Sequence, residues 1–111
     1  MRLEKIKYFR EETGEDNCFY ATCLDEEVSH LIVNHSENDF PYVLSVNTLE
    51  EFRGNNLMEN LLVNARDYYF NLGKGNLRSS LYPAPEVKGY YFYLEQKGLI
   101  QMGEDGRWEF I

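Results

Sequence analysis

The hydrophobic period of this chain changes near Leu57, and no other feature constrains its fold as much. From Leu57 onward the apolar residues fall at positions 57, 58, 61, 62, 65, 68, 69 and 72. Asn55, Asn56, Glu59, Asn60, Asn64, Arg66 and Asp67 lie largely between them. Steps of three and four residues put one face of an α-helix, about four turns long, against a core. Gly73 and Gly75 supply the left-handed backbone that ends such a helix.

Before Leu57 the pattern is that of strands. Leu3 to Arg10 alternates in part, and Glu11 to Asp16, with Thr13-Gly14, has turn chemistry. Cys18 to Leu24 reads as a second strand, Asp25-Glu26-Glu27 as a tight connection, and Val28 to Asn34 as a third strand, apolar on both faces. His35 to Asp39 is a polar loop, and Tyr42 to Leu49 is a fourth strand. Three short connections in a row predict an antiparallel meander.

After the helix, Leu77 to Tyr82 reads as a strand, broken by Pro83-Ala84-Pro85. A second helix is expected from Glu86 to Gln96, then a strand at Leu99 to Met102, a turn at Gly103-Glu104-Asp105-Gly106, and a strand at Arg107 to Ile111. The expectation is an α+β fold: a mixed sheet of about seven strands with two main helices. With 111 residues, the chain is one domain, 1–111. A chain of this size buries about 65% of its unfolded surface, enough for a core without disulfides or metals.

Charge narrows the partners. The net charge is −8, and residues 1–52 carry all of it, with twelve acids against four bases. Residues 53–111 carry seven of each. Phosphate contacts dominate nucleic-acid affinity, so this balance argues against nucleic acid and against anionic membranes. The acidic half favours a small-molecule amine or a basic peptide. No apolar run is long enough to span a membrane, and Met1-Arg2-Leu3-Glu4-Lys5 does not begin a signal peptide. A cytoplasmic protein is the expectation. Cys18 and Cys23 are five apart in a strand, hence on opposite faces and not bonded to each other. With His30 and His35 they make no metal-ligand spacing, so no metal is expected.

The junction that can carry chemistry runs from strand Tyr42–Leu49 through Glu50-Glu51-Phe52-Arg53-Gly54-Asn55-Asn56 into the amphipathic helix. A helix start presents unpaired N–H groups and the positive end of the helix dipole, which together bind phosphate. Gly54, Asn55 and Asn56 tolerate the left-handed backbone that makes successive N–H groups converge, and Arg53 adds a positive rim. Asparagine is also an ordinary N-cap residue.

The run Arg53-Gly54-Asn55-Asn56-Leu57-Met58-Glu59-Asn60-Leu61-Leu62, after Val46-Asn47-Thr48-Leu49, resembles the acetyl-CoA-binding segment of the GNAT N-acetyltransferase superfamily. The family pattern is Gln or Arg, two residues, Gly, one residue, then Gly or Ala. Arg53 matches it, Asn56 stands at the middle glycine, and Met58 at the final small residue. Phe92-Tyr93-Leu94-Glu95-Gln96-Lys97-Gly98-Leu99 is similar to the family's second signature, with Leu94 where its tyrosine usually sits and Tyr93 one residue earlier.

The resemblance covers roughly residues 17–111. It implies a GNAT-like sheet from which the helices between the first and second strands are missing. It also implies acetyl-CoA as cosubstrate, with direct transfer of acetyl to an amine. Val46, Thr48 and Leu49 would hold the pantetheine arm, and Arg53, Gly54, Asn55, Asn56, Leu57 and Met58 the pyrophosphate. Tyr93, with Tyr90 and Tyr91 as substitutes, would protonate the leaving thiolate, a role that suits a phenol of ordinary pKa about 10. Glu50, with Glu51, Asp39 and His35 as further candidates, would take the acceptor's proton. The departures from the motif leave a second reading open, a GNAT-fold binding or regulatory module that has lost catalysis. Without those helices the acceptor site is open, or is completed by a second subunit, or takes no acceptor; strand Arg107–Ile111 as an exposed edge would suit a homodimer.

Overall fold

A computed structural model describes residues 5–35, 40–80 and 85–111. The elements run β1 (Ile6–Thr13), β2 (Asp16–Cys23), β3 (Glu26–Asn34), β4 (Tyr42–Thr48), a short 3-10 helix (Glu50–Phe52), α1 (Leu57–Asn71), α2 (Pro85–Gln96), β5 (Ile100–Met102) and β6 (Trp108–Phe110). The fold is α+β, with two helices and mostly antiparallel strands, as the change of period predicts.

Strands β1 to β4 form an antiparallel sheet in sequence order. The first hairpin turns tighter than expected: Thr13 pairs with Asp16, so Glu11 and Glu12 belong to the strand and not to a turn. Their acidity reflects exposure, since every residue of β1 after Ile6 is exposed. Gly14, at φ +62°, opens the two-residue turn. The second hairpin turns at Leu24-Asp25, both with positive φ, and Glu26 pairs with Cys23 inside the ladder. Charge at Asp25-Glu26-Glu27 therefore misplaced the turn by one or two residues.

One face of this sheet receives α1. Leu57, Leu61, Leu62, Ala65 and Tyr69 are buried on the helix face that the 3.6-residue period marked. Leu61, Leu62, Ala65 and Tyr69 meet Phe19, Leu31, Val33 and Val43 from the strands, while Leu57 joins Ala21, Cys23 and Val28 in a second cluster. Within this packing Asn17 is buried and satisfied: Arg10 donates to its Oδ1 at 2.9 Å, and its Nδ2 donates to Tyr69 Oη at 2.7 Å. Burial is the main cause that pushes the Tyr69 phenol up to about 12. Strand β1 passes to β2 through the turn at Gly14, with no helix between them.

The named strands number six, in a four-stranded and a two-stranded sheet, not the expected seven. The seventh survives as a seam. Arg78 bridges Tyr42 in parallel and Glu109 in antiparallel fashion. Val43 N–H donates to Arg78 O at 2.8 Å, and Ser79 N–H to Trp108 O at 2.8 Å. Leu81 and Tyr82, the end of that expected strand, lie outside the described residues, as does Leu3. The C-terminal strand is not an edge: Phe110 N–H bonds to Leu77 O, while β6 also pairs with β5. The apolar Trp108 and Phe110 are buried on this account. The dimer edge expected at Arg107–Ile111 is thereby covered within the chain. No described helix is long and apolar enough to cross a membrane.

Candidate functional site

The site begins where β4 leaves the seam. Leu49 N–H donates to Val28 O on β3 at 2.9 Å. Antiparallel ladders alternate, so Val46 and Thr48 turn their N–H and C=O groups to the opposite edge of β4. A register shift between Ile32 and Val33 sets this phase, because it leaves Leu44 unopposed between Val43 and Ser45. Val43 faces the seam at Arg78, and past it no described residue pairs with that edge. The two strands part there, leaving Val46 and Thr48 on an open flank.

The chain then makes its short 3-10 turn and crosses to α1. Arg53 Nε donates to Thr48 O at 2.9 Å, folding the guanidinium back over the strand end. Asn55 Nδ2 donates to the carbonyls of Phe52 (3.2 Å) and Arg53 (3.1 Å), bracing the loop from inside. Gly54 has φ +81°, and Asn56 sits at φ +63°, ψ +17°. Asn56 occupies the N-cap of α1, yet its side chain makes no capping bond. Its contribution is the left-handed backbone, which asparagine tolerates better than most residues. Among the described residues, no backbone acceptor takes the amides of residues 54–59. The first helical bond is Asn60 N–H to Asn56 O. These donors stand at the positive end of the dipole of a fifteen-residue helix.

Helix α2 forms the opposite wall. A cleft of about 610 Å³ lies between them, within the roughly 300–1,000 Å³ usual for small-molecule and cofactor sites. Val46, Thr48, Arg53, Gly54, Asn56, Leu57, Met58 and Tyr93 line it. So do Asn47, Phe52, Val87 and Tyr90, which the motif did not single out as ligand contacts. Met58 is half-buried and packs against the main core, so its thioether is shared between core and cleft. Leu94 is fully buried, which is why the neighbouring Tyr93, and not residue 94, reaches the cleft. Tyr90 and Tyr93 stack with ring centroids 5.9 Å apart. Burial, then the Glu59 charge, raises the Tyr90 phenol above the ordinary range. Lys97 Nζ donates to Glu59 Oε1 at 2.7 Å, tying α2 to the first turn of α1. That bond raises the lysine's pKa.

Other expected site residues lie elsewhere. Glu50 and Glu51 are exposed on the 3-10 turn and do not line the cleft, and neither do Leu49 and Asn55. His35 follows Asn34, which pairs with Tyr42, at the other end of β4 from Thr48. That is roughly 20 Å away at about 3.3 Å per residue. Asp39 lies outside the described residues. No carboxylate and no imidazole is among the described residues that line the cleft. No group of His, Cys, Asp and Glu among the described residues could hold a metal, and no disulfide joins Cys18 and Cys23. Val87 was legible only as part of a helical face, since nothing local in sequence points it at residues 46–58; of the tyrosines offered for the proton-donor role, Tyr90 and Tyr93 line the cleft and Tyr91 does not.

A meander, a parted strand edge, and a helix start aimed into the gap are together the architecture of the GNAT N-acetyltransferases, and comparison with solved structures finds that fold. A GNAT family acetyltransferase from Elizabethkingia anophelis with acetyl-CoA bound superposes with TM-score 0.72 at 12% identity, over 91% of this chain and 79% of that one. An acetyltransferase from Bacillus subtilis in complex with CoA gives 0.61 at 12% identity, over 95% and 94%. An IAA acetyltransferase from Bacillus cereus gives 0.65 at 12% identity, over 82% of this chain and only 59% of that one. No family model and no curated protein matches the sequence.

Proposed function

We propose that this chain binds acetyl-CoA in the cleft between β4 and α2 and transfers its acetyl group to an amine. The observation that carries this reading is the set of unpaired main-chain amides from Gly54 to Glu59, beside a strand edge left open at Val46 and Thr48. The neighbours solved with acetyl-CoA or CoA share the fold and support the ligand's identity. The cleft has room for the ligand, and its donors suit a pyrophosphate.

When bound, acetyl-CoA supplies the acetyl group as a thioester, whose carbonyl carbon an amine nitrogen attacks as the carbon–sulfur bond breaks. The amides of 54–59 hold the pyrophosphate, with Arg53 adding charge at the rim. Val46 and Thr48 pair with the amide-bearing arm as an added strand would. An N–H on this edge polarises the acetyl carbonyl. Tyr93 gives its hydroxyl proton to the departing thiolate. Glu50, on the turn outside the cleft, takes the acceptor's proton through water. The acidic first half of the chain supports an amine or basic-peptide acceptor.

A second reading is favoured by one observation, the lack of a carboxylate or imidazole on the described cleft wall. It is a coenzyme A binder with no transfer activity. A thermal-shift titration followed by a thiol-release assay separates the two. Acetyl-CoA at one hundred times its dissociation constant should stabilise the fold by about 2.7 kcal/mol, and a panel of amines should then release free thiol. A shift without thiol release selects the binder. No shift at millimolar acetyl-CoA refutes both readings.

A further inference from the structure

We propose that β1 is a homodimerisation strand, through which two copies of this chain join their four-stranded sheets edge to edge about a two-fold axis at Phe9. The inference is independent of the ligand cleft. Strand β1 pairs with β2 over its full length without a bulge, and its outer edge is unpaired among the described residues. The hairpin closes on the pair Thr13–Asp16 with a two-residue turn, so the odd residues of β1 face β2. Ile6, Tyr8, Arg10 and Glu12 then present their N–H and C=O groups outward.

Edge strands are normally defended against such pairing by charge. Here the charges choose a partner instead of repelling one. Antiparallel pairing about Phe9 sets Lys7 opposite Glu11 of the second copy, twice by symmetry, and Phe9 opposite its own copy. The outward pairs Ile6–Glu12 and Tyr8–Arg10 then carry the main-chain hydrogen bonds. The Phe9 and Lys7–Glu11 positions fall at non-hydrogen-bonded pairs, where side chains approach closest. Sliding by one step sets Arg10 against Arg10, and by two steps Glu11 against Glu11. The slide in the other direction loses the Lys7–Glu11 pairs. The Glu11-centred register also sets Arg10 opposite Glu12, but only alongside its like-charged Glu11 pair, so the Phe9-centred register alone matches opposite charges with no like charges opposed along Ile6–Thr13.

The side chains are disposed for it. Tyr8 and Arg10 turn toward α1, where Asn60 donates to Tyr8 Oη and the Arg10 guanidinium lies 4.4 Å from the Tyr68 ring centroid. Lys7, Phe9 and Glu11 project from the other face, which no described helix covers. Phe9 remains 44% exposed despite stacking on Tyr20 at 5.3 Å. A second copy would extend that stack across the axis. Neither Lys7 nor Glu11 has an ion-pair partner among the described residues. Residues 1–52 are strongly acidic, yet Ile6–Thr13 carries two bases and two acids, so the edge is the neutral part of an acidic surface. Two-fold self-complementarity of this kind is what an isologous interface requires.

Sedimentation equilibrium across a concentration series tests it, with circular dichroism confirming that each variant is folded. The wild-type chain should fit a monomer–dimer equilibrium. Lys7→Glu alone and Glu11→Lys alone each place like charges opposite one another twice, and should weaken the dimer about tenfold or more. The double variant restores opposite charges and should recover most of the wild-type association. A monomeric wild-type chain overturns the proposal. So does a dimer that ignores the single reversals, or a double variant no better than the singles.

Discussion

Asn56 separates two physical roles for one residue, and substitution there reports which it plays. An ordinary N-cap asparagine works through its side chain, and serine replaces it at little cost while glycine costs a few tenths of a kcal/mol. Asn56 instead makes no capping bond and holds φ +63°. Its value is then conformational, and the ranking inverts. An L-residue pays about 1–2 kcal/mol in the left-handed region, asparagine less, glycine nothing. Asn56→Ser should therefore cost about 1 kcal/mol, or about 4–5 °C in Tm for a domain of roughly this size. Asn56→Gly should match or slightly exceed the wild type. Coenzyme A affinity should follow the same order, because the amides of 57 and 58 aim where residue 56 turns the chain. Urea denaturation and calorimetric titration measure both quantities. A serine variant as stable and as tight-binding as the wild type, with a weakened glycine variant, would refute the reasoning.

Leu24 is 64% exposed at φ +53°. Leu24→Gly should raise stability by about 1 kcal/mol in urea melts, since the strain is relieved and little packing is lost. Tyr69→Phe leaves the buried Asn17 amide without its acceptor, and should cost about 1–3 kcal/mol. The folded chain holds the Tyr69 proton up to about pH 12, whereas the unfolded chain releases it near 10. That stabilisation is complete below about pH 10 and is lost as pH rises through about 12, so alkaline melts of Tyr69→Phe should fall less steeply than those of the wild type. Met58 packs on the core as well as lining the cleft. Met58→Ala should cost about 1–2 kcal/mol and leave coenzyme A affinity within about threefold. A much tighter complex would show that the thioether obstructs the phosphates.

The sequence disclosed most where one interaction dominates. Burial alone spaces Leu57, Leu61, Leu62, Ala65 and Tyr69, so α1 was legible almost to its last residue. The strand order followed from the short connections. Exposure defeated the first hairpin: Glu11 and Glu12 look like turn residues, and only pairing with Cys18 and Asn17 reveals the strand. Of the strand expected at 77–82, the described residues show bridges from Arg78 to Tyr42 and to Glu109, with nothing local in sequence to mark the meeting. The loop at 53–56 was legible from Gly54 and Asn56, whose tolerance of positive φ is intrinsic. The far wall was legible only at its tyrosines, since Val87 reaches the cleft only through the packing of α2. The distance of His35 from the site follows from the antiparallel meander itself, which sets the β3–β4 loop at the far end of β4 from Thr48.

The central claim is that the free amides after Phe52 cradle the pyrophosphate of a coenzyme A thioester. Backbone amide NMR during titration with coenzyme A tests it at the atoms concerned. The account predicts that the largest shifts fall on Gly54 to Glu59, with smaller ones at Val46 and Thr48. Saturating coenzyme A that leaves Gly54 to Glu59 unmoved, or that shifts a different surface, would contradict it.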